Sequence, residues 1–415
     1  MASSQGQKFA NKNSFVWNYI IHIASDNKSH RTNYYQFIYL FSFFPLYINE
    51  LNLLKYDTKC VLIVYILGKQ GNGNKCEIVA MCVHLYLTVS ILLQFQINSL
   101  IFLIACFKIM TERISITDLL NEDRIIKICA PMVRYSRRAF RMLVRKYGCD
   151  LAYTPMIISN SFAQSKQCRD NEFQPHELDR PLVVQFAASN AKDFADATEI
   201  VFPDVDGVGL NCGCPQRWAM AEGYGAKLIK NPELVRDIIK TTRNRIPSND
   251  FSISVKIRIL ETEKGTVDMC RQFESAGASY ISVHGRTTKE RNQPPHYDII
   301  KSIKDSVDIP VVANGGIKTP HDIERIHEIT GVNGVMVAQG LLNNPAMFGG
   351  YEKTPVQCIE DWLSVTEQFE TIFQHFHNHL IYMQKYTTPK WEKQVFNNLK
   401  HKKDILDYLS LKYEL

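Results

Sequence analysis

The sequence predicts an α/β protein built as a (β/α)8 TIM barrel, on three observations. Eight short β-rich runs recur between residues 125 and 340, segments with helix start and stop signals separate them, and unusual polar residues collect where the runs end. The runs are 125–132, 150–156, 181–188, 206–212, 251–259, 278–286, 309–316 and 333–340. Most are continuous apolar stretches, the pattern of parallel strands covered on both faces. Eight such units in about 225 residues suit a closed barrel. A doubly wound open sheet is the alternative, but eight evenly spaced units without a glycine fingerprint suit it poorly.

The intervening segments carry their own punctuation. Ser136 stands where an N-cap belongs for a helix over 136–148, and Gly148 stands where it would end. Phe140, Leu143, Val144 and Tyr147 fall on one face of it, and Arg137, Arg141 and Arg145 line another. Asn231 and Pro232 open a helix over 231–247, and Thr319 and Pro320 open one that Gly331 closes.

Composition bounds the function. A chain of 415 residues, 45% hydrophobic and 22% charged, can bury a large core. Its net charge of +6 admits a nucleic-acid partner without requiring one. Eleven cysteines, an odd number with no C-x-x-C among them, do not make a secreted disulfide scaffold. Reduced thiols in a cytosol-like compartment, hence a cytoplasmic protein, are the expectation.

Three regions follow: an N-terminal extension over 1–110, the barrel over 111–350 and a helical region over 351–415. The extension is rich in Ile, Leu, Phe, Tyr, Asn and Lys, and residues 78–107 carry no charge unless His84 is protonated. Such a run is long enough to span a bilayer, and 33–47, interrupted by Pro45, is a weaker second candidate. Against a membrane anchor stand Gln94, Gln96, Asn98 and Ser99, costly at mid-membrane. A residue mix like translated A/T-rich non-coding DNA, and the polar opening after Met110, point instead to a start at Met110. A membrane partner is expected only if the extension is real. The glycines of 67–74 lack the G-K-[ST] ending of a phosphate loop and read as a turn.

In a barrel of this kind chemistry collects at the carboxyl ends of the strands. There lie Pro131 and Met132, Gln185, Asn211 to Cys214, Lys256 and Arg258, His284 and Arg286, Asn314 to Gly316, and Gln339 with Gly340. The loops after strands seven and eight are the usual seat of a phosphate. With a Lys on strand five and a Gln on strand three, flavin mononucleotide fits: Gln185 bonds the isoalloxazine edge and Lys256 holds negative charge on the reduced ring. Taken alone, Lys256 reads as one half of an ion pair across the barrel top. Cys212 and Cys214 lack a second ligand pair at usable spacing, which argues against zinc, so no metal is expected. A free thiol, with a pKa of about 8.5, is mostly protonated at neutral pH and can act as a general acid. Cys214 takes that part, and Cys212, on the opposite face of its strand, packs in the core.

Beyond the barrel, Trp362, Val365, Phe369, Ile372, Phe373, Phe376 and Leu380 recur at helical spacing and predict one core-facing helix. His375, His377 and His379 lack the surroundings of a metal site, and only His375 and His379 share a face. Residues 390–404 are basic.

The stretches ICAPMVRYSRRAFRMLVRKYGCDLAYTPM, LNCGCPQRWAMAEGYGAKLIKNPELV, SVKIRI, SVHGRTTKERNQPPHYD and VVANGGI together resemble the tRNA-dihydrouridine synthases. More narrowly they resemble the eukaryotic branch acting on D-loop positions 20a and 20b, over roughly residues 112–415. The resemblance implies an FMN-dependent reduction of the uracil C5–C6 double bond in tRNA, with NADPH or NADH recharging the flavin. By position, Cys214 matches the catalytic cysteine, protonating C5 while flavin N5 delivers hydride to C6. Pro131, Met132, Val133, Gln185, Lys256, His284, Asn314, Gly315, Gly316, Ala338 and Gln339 match the flavin contacts. Asn211 orients the substrate base, and Arg258 and Arg286 serve the substrate or the flavin edge.

The target base must leave its stack to reach such a pocket, which calls for a basic rim. The arginines of 136–148, Lys289, Arg291 and Lys353 are the expected rim, and the C-terminal helical domain is expected to grip tRNA. Two departures stand out. Family members usually carry Arg at position 339 and many carry Asp at 316, where this chain has Gln339 and Gly316. Loss of a bidentate phosphate partner predicts weaker FMN binding. The competing readings are an FMN barrel reductase acting on a small molecule, and a catalytically weakened tRNA-binding remnant. Activity on free uridine equal to that on tRNA would favour the first, and tRNA binding without flavin the second.

Overall fold

The computed structural model describes residues 113–414 apart from Pro247, so the membrane-span candidates, the 67–74 turn and the Met110 start lie outside the described residues. Among the described residues no helix is long and apolar enough to cross a membrane.

Eight parallel strands close into a barrel, as expected. They are β1 (Ile126–Cys129), β2 (Leu151–Tyr153), β4 (Leu182–Ala187), β5 (Gly207–Cys212), β6 (Ser252–Arg258), β7 (Tyr280–His284), β8 (Val311–Asn314) and β9 (Gly334–Val337). The pairing of β2 with β4 and of β1 with β9 closes the circle, and β3 (Ile157–Ile158) adds a short rung on β4. Alternation along each strand sends one set of side chains outward against the helices and the other into the barrel. On β5 and β6 the outward set is Val208, Leu210, Cys212, Ile253, Val255 and Ile257, all fully buried in the main core.

The inward set is layered. At the amino end, Ile126, Ile128, Leu151, Val183 and Val312 pack with Ile116 and Leu120 of the helix Ile116–Leu120, which plugs the floor. Above them Tyr153 and Tyr280 meet hydroxyl to hydroxyl, and Tyr153 also bonds Ser254 Oγ at 3.1 Å. Gly209 makes room for that ring, since a Cβ there would lie 3.0 Å from Tyr153 Cε1. The top inward layer is polar and forms the candidate site.

The helix after β1 runs Arg138–Lys146, with Phe140, Leu143 and Val144 buried and Gly148 at φ +90° just beyond it. Two expectations about it fail. Ser136 is not its cap: the Ser136 hydroxyl accepts from Met132 N at 2.9 Å and donates to Met132 O, bracing the preceding loop. Nor do its arginines form an open stripe. Arg141 is buried on Asp179 at 2.6 Å, and Arg145 reaches the same carboxylate at 3.2 Å and Pro181 O at 2.7 Å. Asp179 comes from a loop, and satisfying two guanidiniums there outweighs their exposure.

Asn231 and Thr319 cap their helices as expected, Thr319 in a reciprocal box with Asp322. The expected single helix near the C-terminus is two, Val356–Gln368 and Phe373–Met383. Between them Phe369 and Ile372 are extended, the Thr371 hydroxyl donates to Phe369 O at 2.6 Å, and Ile372 is 60% exposed. Helices Lys390–Asn397 and Lys402–Tyr413 complete the chain.

Candidate active site

The strand register brings the polar tips together. Asn211 lies opposite Lys256 on the neighbouring strand, Arg258 opposite His284, and His284 opposite Asn314. All five project inward at the carboxyl end, with Gln185 on β4.

Each tip is oriented by its neighbours. Asn211 Nδ2 donates to Gln185 Oε1 at 2.7 Å, and Asn211 Oδ1 accepts from Gly213 N at 3.2 Å and Cys214 N at 3.0 Å. One side chain therefore fixes both the glutamine and the turn that carries the cysteine. Gln185 is 1% exposed, and its Nε2 has no partner among the described residues. A buried amide donor left free costs about 1–3 kcal/mol and signals a ligand acceptor in its path.

Lys256 is not half of an ion pair. Its Nζ donates to Asn314 Oδ1 at 2.8 Å, while Asn314 Nδ2 donates to Met336 O at 2.7 Å. Burial, and next the charge of Arg258, push the Lys256 ammonium down to about 7. His284 is pushed down to about 2 by burial and then by Lys256, Arg258 and Arg286. It is neutral, and it meets Arg286 Nη1 at 3.2 Å with a ring nitrogen lone pair. Arg258 donates through Nε to Gly213 O at 3.0 Å and through Nη1 to Thr287 O at 2.8 Å, tying the cysteine turn to the loop after β7.

Cys214 is half-buried at the mouth, on the turn between β5 and the helix Arg217–Ala221. Gly225, at φ +62°, packs against it so closely that a Cβ there would lie 2.6 Å from Cys214 O. Ala226 N donates to that same carbonyl at 2.9 Å. Cys212 is the opposite case: it faces the outer core, and burial pushes its thiol up.

The loops after β8 and β9 pack side by side, as a Cβ on Gly340 would lie 2.7 Å from Ile317 O. Gly315 and Gly316 sit at φ +106° and +76°, where a side chain would strain the backbone and collide with His284 and the Tyr297 hydroxyl. Ala338 is half-buried and Gln339 exposed at the start of the helix Gln339–Asn343. Pro131 and Met132 are half-buried and Val133 is 50% exposed in the loop after β1.

Some contributors carried no signal of their own. Thr154 Oγ1 accepts from Gln185 N at 3.1 Å, and the Tyr297 hydroxyl donates to Gly315 O at 2.9 Å. Glu290 accepts from Thr287 N at 2.7 Å and from His296 Nε2 at 2.9 Å, bracing the loop that holds Arg286. Thr154, Tyr297 and Glu290 each act through a backbone atom that the fold brings near.

Among the described residues, no three or more His, Cys, Asp or Glu side chains are placed to hold a metal. His377 and His379 are separately engaged: His377 meets Phe396 O at 3.0 Å, and His379 meets Tyr135 O at 3.2 Å.

Residues 128–412 match the family described as Dihydrouridine synthase (Dus). A Mus musculus protein named tRNA-dihydrouridine(20a/20b) synthase (NAD(P)+)-like is 53% identical over 296 residues, covering 71% of this chain and 91% of its own. A Homo sapiens protein of the same name is 53% identical over 296 residues, covering 71% and 93%. A Schizosaccharomyces pombe tRNA-dihydrouridine(20a/20b) synthase is 38% identical over 285 residues, covering 68% and 87%. With the barrel and its polar mouth already in place, these matches assign the chain to the dihydrouridine synthase family.

Proposed function

We propose that the barrel mouth of this tRNA-dihydrouridine synthase is where a D-loop uridine, at position 20a or 20b, is reduced across C5–C6, with Cys214 as the proton donor. The observation that carries the reading is the gathering of Cys214, Lys256, Arg258 and His284 at the barrel mouth, beside a Gln185 whose buried Nε2 has no partner among the described residues. The residues present fit FMN. The free Gln185 Nε2 supplies a donor for a ring acceptor, the cations of the mouth await an anion, and Gly315 and Gly316 leave space where any side chain would collide.

Gln185, Lys256, His284 and Asn314 would hold the ring system, with Pro131, Met132 and Val133 alongside. Gly315, Gly316, Ala338 and Gln339 would hold the phosphate. When bound, FMN supplies the hydride that reaches uracil C6 and is recharged by NADPH or NADH. Asn211 holds both the Gln185 amide and the cysteine turn in place. The Cys214 thiol gives its proton to C5, so that hydride and proton together saturate the double bond. The thiolate left behind faces Lys256 and Arg258, and water restores its proton. Arg286, held over His284, is assigned to the substrate side.

The test is direct. Purified chain should carry yellow flavin and restore dihydrouridine to tRNA lacking it, at 20a or 20b. Colourless protein that still binds tRNA would identify a remnant instead, and equal turnover of free uridine would identify a small-molecule reductase.

A further inference from the structure

The loop after β1, from Ala130 to Arg137, carries Pro131, Met132 and Val133 and holds Arg134 in the left-handed region at φ +71°. A non-glycine residue there persists only when its surroundings over-determine it. Inside the loop, Ser136 and Met132 are bonded reciprocally. From the barrel side, Arg141 Nη1 donates to Ser136 O at 2.6 Å. The third anchor comes from the C-terminal helices. His379 Nε2 meets Tyr135 O at 3.2 Å, its ring stacks on Phe140 at 4.4 Å, and Tyr382 meets the Tyr135 ring edge-on at 5.3 Å.

We infer that His379 is a positioning residue for the flavin: through Tyr135, the C-terminal helices hold the loop in the shape that the ring system requires. The carbonyl partner requires an N–H on Nε2. Burial drives the His379 imidazolium down to about 3, so the ring is neutral and the bond persists across the physiological range. The inference rests on the proposal that FMN occupies the mouth. It adds that the helices expected to grip tRNA and the loop expected to touch flavin share one hydrogen bond, so they are not independent parts.

The experiment compares His379→Phe, which keeps the ring volume and the stacking but removes the donor, with His379→Gln, which keeps a donor near Nε2. Both are made in the full chain. Titration with FMN followed by fluorescence, and amide exchange across residues 131–136 without flavin, are measured for each. His379→Phe should weaken FMN about tenfold, the scale of one lost buried hydrogen bond, and should speed exchange of the loop. His379→Gln should restore both to near the original, and tRNA affinity should stay put in both.

Unchanged FMN affinity with a protected loop in His379→Phe would overturn the inference, as would equal damage from the glutamine. If the parent chain binds no flavin, the functional proposal fails while loop exchange still reports on the coupling. Should His379→Phe fail to fold, Tyr135→Leu removes the ring contacts from the loop side. It should speed exchange at 131–136, and native protection there would sink the inference.

Discussion

Around Asp179 and Asp206 the barrel surrounds each fully buried carboxylate with cations. Arg141 and Arg145 share Asp179, while Arg180 lies 2.5 Å from Asp206, which also accepts from Ile114 N and Leu182 N. At the carboxyl end of the same strands, Lys256, Arg258 and Arg286 converge on His284, and the partners of the first two are an amide oxygen and backbone carbonyls. Glu290, close enough to act on Arg258, is engaged by Thr287 and His296. The first arrangement is a closed structural lock. The second holds positive charge in reserve for something that arrives, and positive charge gathered without counter-charge is costly unless a ligand supplies it.

The largest effect that would sharpen this contrast lies at the mouth. Cys214→Ala should lower turnover about 10²- to 10⁴-fold, the usual worth of a positioned general acid, while flavin binding and thermal stability hold. Single-turnover reduction of tRNA, read beside flavin fluorescence, checks it. Turnover near the original level would remove the cysteine from the chemistry.

Next comes the lock. Asp179→Ala leaves two guanidiniums without their shared carboxylate and should cost about 3–5 kcal/mol of stability, seen in urea unfolding. Lys256→Gln should do the reverse at the mouth, leaving stability equal or higher while flavin binding falls. If Lys256→Gln destabilised the fold as much as Asp179→Ala, the two regions would be alike and the functional reading of the mouth would weaken.

The same lysine gives a pH dependence of a definite sign. Its ammonium is pushed down to about 7, from 10.5. Between those values the unfolded chain carries the proton and the folded, flavin-free chain does not, so its contribution to stability rises with pH across that window. If flavin occupies the mouth as proposed, binding its anionic form draws on the charged lysine, so binding takes up a proton above pH about 7. Flavin affinity should therefore fall, by up to about tenfold per pH unit for a single proton. Lys256→Gln should flatten that slope. A slope that survives the substitution would place the proton elsewhere.

The fold and the floor of the site were legible because both depend on local pattern. Each strand announces itself by its apolar run, and from β4 to β8 the odd polar residues stand at the inward carboxyl end, so Gln185, Asn211, Lys256, His284 and Asn314 could be read in order along the chain. The roles of Ser136 and Arg141 could not. Both are decided by partners that folding supplies, Met132 across a tight turn and Asp179 from a distant loop. The break between Gln368 and Phe373 was hidden for a related reason: Phe369, Ile372 and Phe373 keep the helical spacing of apolar residues although the backbone between them is extended.

The smallest effect concerns the departure at Gln339. It is exposed at the first residue of a short helix beside the Gly315–Gly316 turn, where an arginine would supply a bidentate, charge-assisted grip on a phosphate. Gln339→Arg should tighten FMN about three- to tenfold, less than a buried pair would give because water competes at an exposed site. Riboflavin, which has the same ring system without the phosphate, separates charge recognition from general improvement. Its affinity should not change. Equal gains for both ligands would mean that the arginine acts on the loop rather than on the phosphate, and no gain for FMN would place the phosphate away from β9. A gain for FMN alone would mark the mouth as a cationic site one partner short, the converse of the saturated lock around Asp179.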